Sequence, residues 1–250
     1  MLLAIDIGNT RLKWGLFAEG ILHERGTQFL SVAPSPEDWG GLRDLPPPDR
    51  VAIASVGGES RFSALRTWLT GQWRCPVLQL QSTAYAQGVT NAYREPVKLG
   101  VDRWAALVAA RSLSSVPMIV VDAGSACTID AMDSAGRHKG GWIAPGLRLM
   151  ESALLKGTRE VALGSEPVHR MEWGVDTTRA VQAGQEAALA GMIERAVRRL
   201  EREENAPVEC LMTGGDGKRL RSLLELPCRY DPALVLKGVA LLAGKEAHGR

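Results

Sequence analysis

The chain states one local pattern twice. The apolar run Leu2 to Ile7 closes on Asp6-Ile7-Gly8-Asn9-Thr10, and the β-branched run Met118 to Val121 closes on Asp122-Ala123-Gly124-Ser125. In each, a strand-like segment delivers an aspartate, one apolar residue, a glycine and a small polar side chain, and further strand-like segments follow. After the first these are Lys13 to Phe17 and Ile21 to Phe29; after the second, Cys127 to Met132 and His138 to Ala144, joined by the turn Asp133-Ser134-Ala135-Gly136. The aspartates lie 122 − 6 = 116 residues apart, which is one domain length. A three-stranded unit must bury its apolar face under helices, so the repeat predicts an α/β chain of two similar domains, 1–115 and 116–250, with a cleft between them.

Other segments fill out each half. The connector Pro46-Pro47-Pro48 precedes a strand at Val51 to Val56, and Phe62 to Trp68 has helical spacing that Gly71 stops. Leu99 to Leu113 reads as a buried helix entered through Gly100 and Asp102. Beyond Pro145 and Gly146 come a helix at Leu147 to Leu155, an irregular stretch from Gly157 to Gly174, and a long helix from Thr178 to Glu203 capped by Asp176 or Thr177. Ala183, Gly184, Ala187, Ala188, Ala190 and Gly191 make its middle small-sided. Two glycines inside a helix cost roughly 1 kcal/mol each against alanine, so a packing partner is expected there, either a helix or a second subunit. A strand at Val208 to Met212, the turn Thr213-Gly214-Gly215-Asp216 and helices at Leu220 to Leu224 and Leu234 to Ala243 complete the chain.

Composition excludes several classes of function. With 30 basic against 28 acidic residues in 250, a net charge of +2 and 45% apolar content, the sequence describes a soluble globular protein with no general pull toward nucleic acid or membrane. The arginines 195, 198, 199 and 202 alternate with glutamates 194, 201, 203 and 204 rather than forming a basic stripe. The run Pro117 to Val121 falls far short of a bilayer span. Asp6 and Gly8 arrive before a secretory leader could form, so the expected location is the cytoplasm. Cysteines 75, 127, 210 and 228 lie far apart with no C-x-x-C pair, which reads as free thiols and not as a zinc site.

The turns carry the chemistry. A strand ending in Asp-x-Gly-(Asn/Ser) offers backbone N–H groups beside a hydroxyl or amide where no Cβ blocks approach, an arrangement suited to phosphate oxygens. A carboxylate on the same turn would repel phosphate unless a cation lay between, which makes Asp6 and Asp122 candidates for holding Mg²⁺ or another cation. Thr213-Gly214-Gly215 adds a third turn that an adenine or ribose could approach. Lys13 is either an exposed strand lysine or a point charge for the terminal phosphates.

Six segments in order resemble the type III pantothenate kinase family. They are Asp6 to Lys13 with Trp14-Gly15; Gly100-Val101-Asp102-Arg103; Asp122-Ala123-Gly124-Ser125-Ala126 with Thr128-Ile129-Asp130; Gly140-Gly141-Trp142-Ile143-Ala144-Pro145-Gly146; Asp176-Thr177 with Ala180 and Gly184; and Thr213-Gly214-Gly215-Asp216. The resemblance implies two duplicated ribonuclease-H-like domains of the actin-like ATPase superfamily, usually a homodimer, phosphorylating pantothenate with ATP, Mg²⁺ and a monovalent cation, K⁺ or ammonium. It implies that Asp6, Ile7, Gly8, Asn9, Thr10, Arg11, Leu12 and Lys13 form the first phosphate-binding turn, with Asp6 facing Mg²⁺ through water. It makes Asp122 the monovalent-cation ligand and Ser125, Gly214 and Gly215 contacts to ATP. Ser125 stands where the family more often has threonine; the hydroxyl survives without its methyl. Gly100, Val101, Asp102, Arg103, Tyr93 and Thr177, next to Thr178, become pantothenate contacts, with Asp102 as proton acceptor. Arg103 suits a carboxylate, phosphate oxygens or Asp102 itself, while Trp104 and Trp142 read as core. A nucleotide-binding transcriptional accessory protein of the same fold is the alternative.

Overall fold

The computed structural model describes residues 1–31, 33–157 and 173–244, and the chain divides into two compact units, Met1–Ser114 with Ala233–Arg250, and Ser115–Pro232. The first unit opens with strands β1 (Leu2–Ile7), β2 (Arg11–Ala18) and β3 (Ile21–Phe29), followed by a short 3₁₀ helix Pro36–Leu42, strand β4 (Arg50–Ser55), helix α1 (Glu59–Gln72) and strand β5 (Val77–Gln79). The sheet order is β3-β2-β1-β4-β5, with β1 antiparallel to β2 and parallel to β4. Every residue of β1 is buried, as a central strand covered on both faces requires. A hairpin of β6 (Tyr85–Ala86) and β7 (Val89–Thr90) turns through Gln87 (φ 49°) and Gly88 (φ 81°), and a 3₁₀ turn at Pro96–Lys98 leads into helix α2 (Val101–Leu113). Both central residues at positive φ mark the type of two-residue turn that matches strand twist.

The second unit repeats the plan. Strands β8 (Met118–Ala123), β9 (Ala126–Met132) and β10 (His138–Pro145) precede helices α3 (Leu147–Gly157) and α4 (Thr177–Glu204), then strand β11 (Glu209–Thr213), helix α5 (Gly217–Arg221) and strand β12 (Cys228–Tyr230). The order β10-β9-β8-β11-β12 reproduces the first sheet strand for strand, including the parallel pair at its centre. Buried side chains of α4 recur as Glu186, Leu189, Ala190, Ile193, Ala196, Val197 and Leu200, one helical face packed on the core of Ile119, Val121, Ile129 and Met212.

Several sequence expectations change. The last helix, α6 (Leu234–Ala243), belongs with the first unit, whereas the repeat alone predicts 116–250 as one domain. Its apolar residues need cover, and α2 supplies it: a Cβ on Gly238 would collide with the backbone of Ala105, so glycine permits the two helices to touch. Gly71 does not stop α1, which runs on to Gln72. The helix expected at Leu220 to Leu224 forms three residues earlier, over Gly217–Arg221. Strands β5 and β12, of three residues each, and the β6–β7 hairpin have no sequence period long enough to read. Gly184 and Gly191 are exposed, and a Cβ on either meets nothing within 4 Å, so the close helix partner expected there is absent among the described residues. The irregular stretch expected from Gly157 to Gly174 falls, over 158–172, outside the described residues. No helix of the described residues is long and apolar enough to cross a membrane.

Candidate active site

The repeated turns occupy equivalent places in the two sheets. Asp6 sits at the end of β1 in a row with Lys13 of β2 and Ala54 of β4. Asp122 sits in β8 in a row with Thr128 of β9 and Thr213 of β11. Beyond them the chain reverses. Gly8 N–H donates to the Arg11 carbonyl at 3.0 Å, and Gly124 N–H to the Ala126 carbonyl at 3.0 Å. The register leaves four residues between Ile7 and Leu12 but three between Ala123 and Cys127, so the second turn is one residue shorter.

The first turn is held from three sides. Lys13 Nζ lies 3.4 Å from Asp6 Oδ2, and the lysine side chain is 24% exposed, so Lys13 is a half-covered partner of the turn's own carboxylate and not a solvated strand lysine. Asn9 and Thr10 are exposed, while Ile7 and Leu12 are buried and fasten the loop to the core. The Arg11 guanidinium carbon lies 4.7 Å from the Phe29 ring centre, a cation–π contact that draws it along the sheet. Arg61 of α1 donates to the Asn9 carbonyl and to the Ser31 carbonyl, each at 2.8 Å. No local pattern marks Arg61 in the sequence, because its partners are backbone carbonyls that only tertiary approach brings near.

The second turn meets the Thr213-Gly214-Gly215 turn. Asp216 N–H donates to the Ala123 carbonyl at 2.9 Å, and Gly146 N–H to the Ser125 carbonyl at 2.9 Å. Gly214 has φ 94°, and a Cβ there would strike the Ala123 backbone and come within 2.5 Å of Asp122 Oδ1. Gly214 is therefore buried by a protein neighbour, while Gly215 and Ser125 are exposed. Tyr230 of β12 donates its hydroxyl to the Gly214 carbonyl at 3.0 Å, another brace that the sequence reading did not single out. Burial pushes the Cys127 thiol up to about 12, and the Asp122 and Asp216 carboxylates add to the rise. Both carboxylates thus lie near one buried thiol, and a cation beside them would offset their charge. The hard oxygen of Asp122, in a cradle that a side chain on Gly214 would fill, suits such an ion.

A third cluster surrounds the start of α2. Gly100 is its N-cap, and a Cβ there would come within 2.6 Å of Asp102 Oδ1. Asp102 Oδ1 accepts the Arg103 backbone N–H at 2.8 Å. The buried Arg103 sends Nη1 to the Tyr93 hydroxyl at 3.0 Å, with its guanidinium carbon 5.8 Å from the ring centre. Val101 is buried. Tyr93 is positioned through Asn91, whose Oδ1 accepts the Tyr93 N–H at 2.9 Å while Nδ2 reaches the Thr83 and Pro96 carbonyls at 3.2 Å each. Asn91 carries no sequence signal beyond following the hairpin. Trp104 is fully buried, as expected, and its indole N–H has no hydrogen-bond partner among the described residues. Thr177 is the exposed first residue of α4, and Asp176 is its N-cap, accepting the Arg179 N–H at 2.8 Å. Among the described residues no group of three or more His, Cys, Asp or Glu forms a ready metal cluster. A cation here would rest on one carboxylate at a time, completed by ligand oxygens or water.

Comparison with known proteins places this arrangement. The family model described as type III pantothenate kinase matches residues 2–199. Curated type III pantothenate kinases from Alkalilimnicola ehrlichii and Laribacter hongkongensis are 36% and 38% identical over 248 and 247 residues, covering 96% and 97% of this chain and 97% and 98% of theirs. Among solved structures, a Campylobacter jejuni protein described as a Baf family transcriptional activator superposes with a TM-score of 0.60 at 21% identity, covering 99% of this chain and all of its own. The ethanolamine utilization protein EutJ from Carboxydothermus hydrogenoformans gives 0.52 at 16% identity, covering 96% and 89%. At such identity these likenesses speak for the fold, which is the two-domain actin-like ATPase architecture. With a family model spanning most of its length and relatives alike from end to end, the chain belongs to the type III pantothenate kinase family.

Proposed function

We propose that the chain phosphorylates pantothenate with ATP to give 4′-phosphopantothenate, the first step of coenzyme A biosynthesis, with Asp102 taking the proton of the acceptor hydroxyl. The observation that carries the assignment of roles is the cluster at the start of α2. There a carboxylate is oriented by the next residue's N–H, beside a buried guanidinium already engaged with a tyrosine hydroxyl. Phosphoryl transfer asks little covalent work of a protein; it asks for alignment, charge neutralisation and an acceptor for one proton. Arg103 and Tyr93 bind and orient pantothenate, with Gly100, Val101 and Thr177 completing the contacts. Asp102 accepts the hydroxyl proton as the oxygen bonds to phosphorus.

The turn from Asp6 to Lys13 binds phosphate oxygens of ATP through its N–H groups and Lys13. Ser125 and the Gly214-Gly215 turn bind the rest of the nucleotide. Asp6 fits a divalent ion held through water and Asp122 a monovalent cation, K⁺ or ammonium. Such ions, when bound, neutralise charge on the phosphates. The likeness to the Campylobacter jejuni protein is one of fold and adds no transcriptional role.

The working form is a cytoplasmic homodimer. Ile143 of β10 and Leu149, Leu154 and Leu155 of α3 are 37–63% exposed, and with Gly184 and Gly191 of α4 they supply apolar surface that a second copy would cover. Light scattering should give twice the mass of the 27.0 kDa chain. The central test is Asp102→Asn. Turnover of pantothenate should fall by about 10²–10⁴ while ATP binding stays at the wild-type level; a variant with wild-type kcat would remove Asp102 from the role of base.

A further inference from the structure

Two thiols stand side by side in the second unit and take no part in the chemistry above. Cys210 of β11 and Cys228 of β12 are register partners on adjacent parallel strands, so their side chains leave the same face of the sheet. Cys210 is buried in the core, and Cys228 is half-buried at its border, where its thiol donates to the Arg229 carbonyl at 3.6 Å. Neighbouring strands run ~4.8 Å apart, which falls inside the ~4.4–6.8 Å Cα separation that a disulfide spans. We propose that Cys210 and Cys228 form a modification site, a dithiol that hydroperoxides oxidise reversibly to a disulfide joining β11 and β12.

The two sulfurs are suited to different roles. The adjoining Cys210 thiol and the charge of Arg221 hold the Cys228 thiol below its ordinary range against the opposing effect of burial. The adjoining Cys228 and burial push Cys210 up. Cys228 is thus the attacking thiolate and Cys210 the resolving thiol. Cys228 sulfur attacks one peroxide oxygen; the O–O bond breaks, an S–O bond forms, and the departing hydroxide takes a proton to become water. Cys210 sulfur then attacks Cys228 sulfur. The S–O bond breaks as the S–S bond forms, and the second hydroxide leaves with the Cys210 proton as water. The sulfur pair loses two electrons and the peroxide gains two. Burial raises Cys75 and Cys127, which keeps those thiols out of the reaction.

The position gives the bond a consequence. Two residues along the same strands, Met212 pairs with Tyr230. The Tyr230 hydroxyl holds the Gly214 carbonyl, and a Cβ on Gly217 would come within 2.6 Å of the Tyr230 ring. A covalent tie two residues before Tyr230 repositions that brace, and with it the Thr213-Gly214-Gly215 turn. This step rests on the proposal that the turn contacts ATP.

The test treats the full-length reduced protein with hydrogen peroxide and follows free thiols, intact mass and peptide mapping. The expected result is loss of two of the four thiols and a Cys210–Cys228 linkage, reversed by dithiothreitol, with the KM for ATP raised about 5-fold or more, the lower end of ordinary coupling between sites. Cys228→Ser and Cys228→Ala should keep wild-type ATP kinetics when reduced and lose both responses to peroxide. Peroxide that leaves all four thiols intact, or yields only sulfinic acid on Cys228, overturns the dithiol. A linkage that forms without changing the KM for ATP overturns its tie to the nucleotide. Gly214→Ala then separates the causes: if it too leaves the KM for ATP unchanged, the turn's role in binding ATP is what failed.

Discussion

Gly214→Ala strikes the second-unit turns where backbone meets backbone. The structure fixes two costs. A side chain at φ 94° sits outside the ordinary regions, a penalty of about 1–2 kcal/mol for an L-residue in left-handed backbone. The new Cβ also falls onto the Ala123 backbone, which accepts the Asp216 N–H at 2.9 Å, while the Gly214 carbonyl accepts the Tyr230 hydroxyl at 3.0 Å. Relief requires moving one turn away from the other and weakens both bonds, at about 1 kcal/mol each. The sum is about 3–4 kcal/mol, or a fall in Tm of about 6–16 °C for a chain of this size. Gly20→Ala is the matched control. Gly20 has φ 79° with nothing among the described residues within 4 Å of an added Cβ, so it carries the backbone penalty alone, about 2–8 °C. Calorimetry on both variants isolates the collision, and ATP-dependent turnover measured beside it tells whether the turn matters to the nucleotide. Gly214→Ala should raise the KM for ATP about 10-fold or more, equivalent to 1.4 kcal/mol, and Gly20→Ala should not. Equal losses of Tm, with the KM for ATP unchanged in both, would refute the reasoning from close approach to nucleotide binding.

Other outcomes follow from single contacts. Arg103→Lys keeps the charge but loses the planar fork that reaches Tyr93, so the KM for pantothenate should rise with that for ATP unaltered; steady-state kinetics with each substrate varied decides it. Gly238→Ala drives a methyl into the Ala105 backbone between α2 and α6 and should cost about 1–3 kcal/mol of stability, read as a lower urea midpoint. Asp38 is buried, which favours its neutral form, but the backbone N–H and hydroxyl of Ser31 and the N–H of Ser35 outweigh burial and hold its carboxyl below the ordinary range. A depressed carboxylate stabilises the fold above the ordinary carboxylate pKa and ceases to do so as pH falls through its folded value. Asp38→Asn should therefore lower Tm at neutral pH, and the gap from wild type should close below about pH 4.

How much of this could be read without coordinates depends on whether a residue's partner is local. The repeated strand-turn-strand was legible because burial on both faces of β1 and β8 leaves continuous apolar runs, each closing on an aspartate and a run of small and polar residues. The destination of α6 was not. An apolar helix of ten residues states that it will be covered, not by what, and only Gly238 against Ala105 answers that. The braces escaped for the same reason. Arg61, Asn91 and Tyr230 act on backbone carbonyls or N–H groups at positions 9, 93 and 214, and a backbone group leaves no mark in a sequence.

The duplication also explains why the two aspartates should diverge in what they hold. At the place beside Asp6 the first sheet puts Lys13, and the salt bridge at 3.4 Å offsets much of that carboxylate's charge within the protein. At the equivalent place beside Asp122 the second sheet puts Thr128, which brings a hydroxyl and no charge, and Asp216 adds a second carboxylate whose field is felt at Cys127. On the proposed reading, in which both turns meet phosphate, the monovalent cation adds positive charge beside Asp122, a part that Lys13 already plays beside Asp6. Thr128→Lys tests that logic directly: by copying the first sheet's solution into the second, it should make turnover less dependent on K⁺ or ammonium. Unchanged dependence on the cation in a folded Thr128→Lys variant would mean that the ion serves some group other than Asp122.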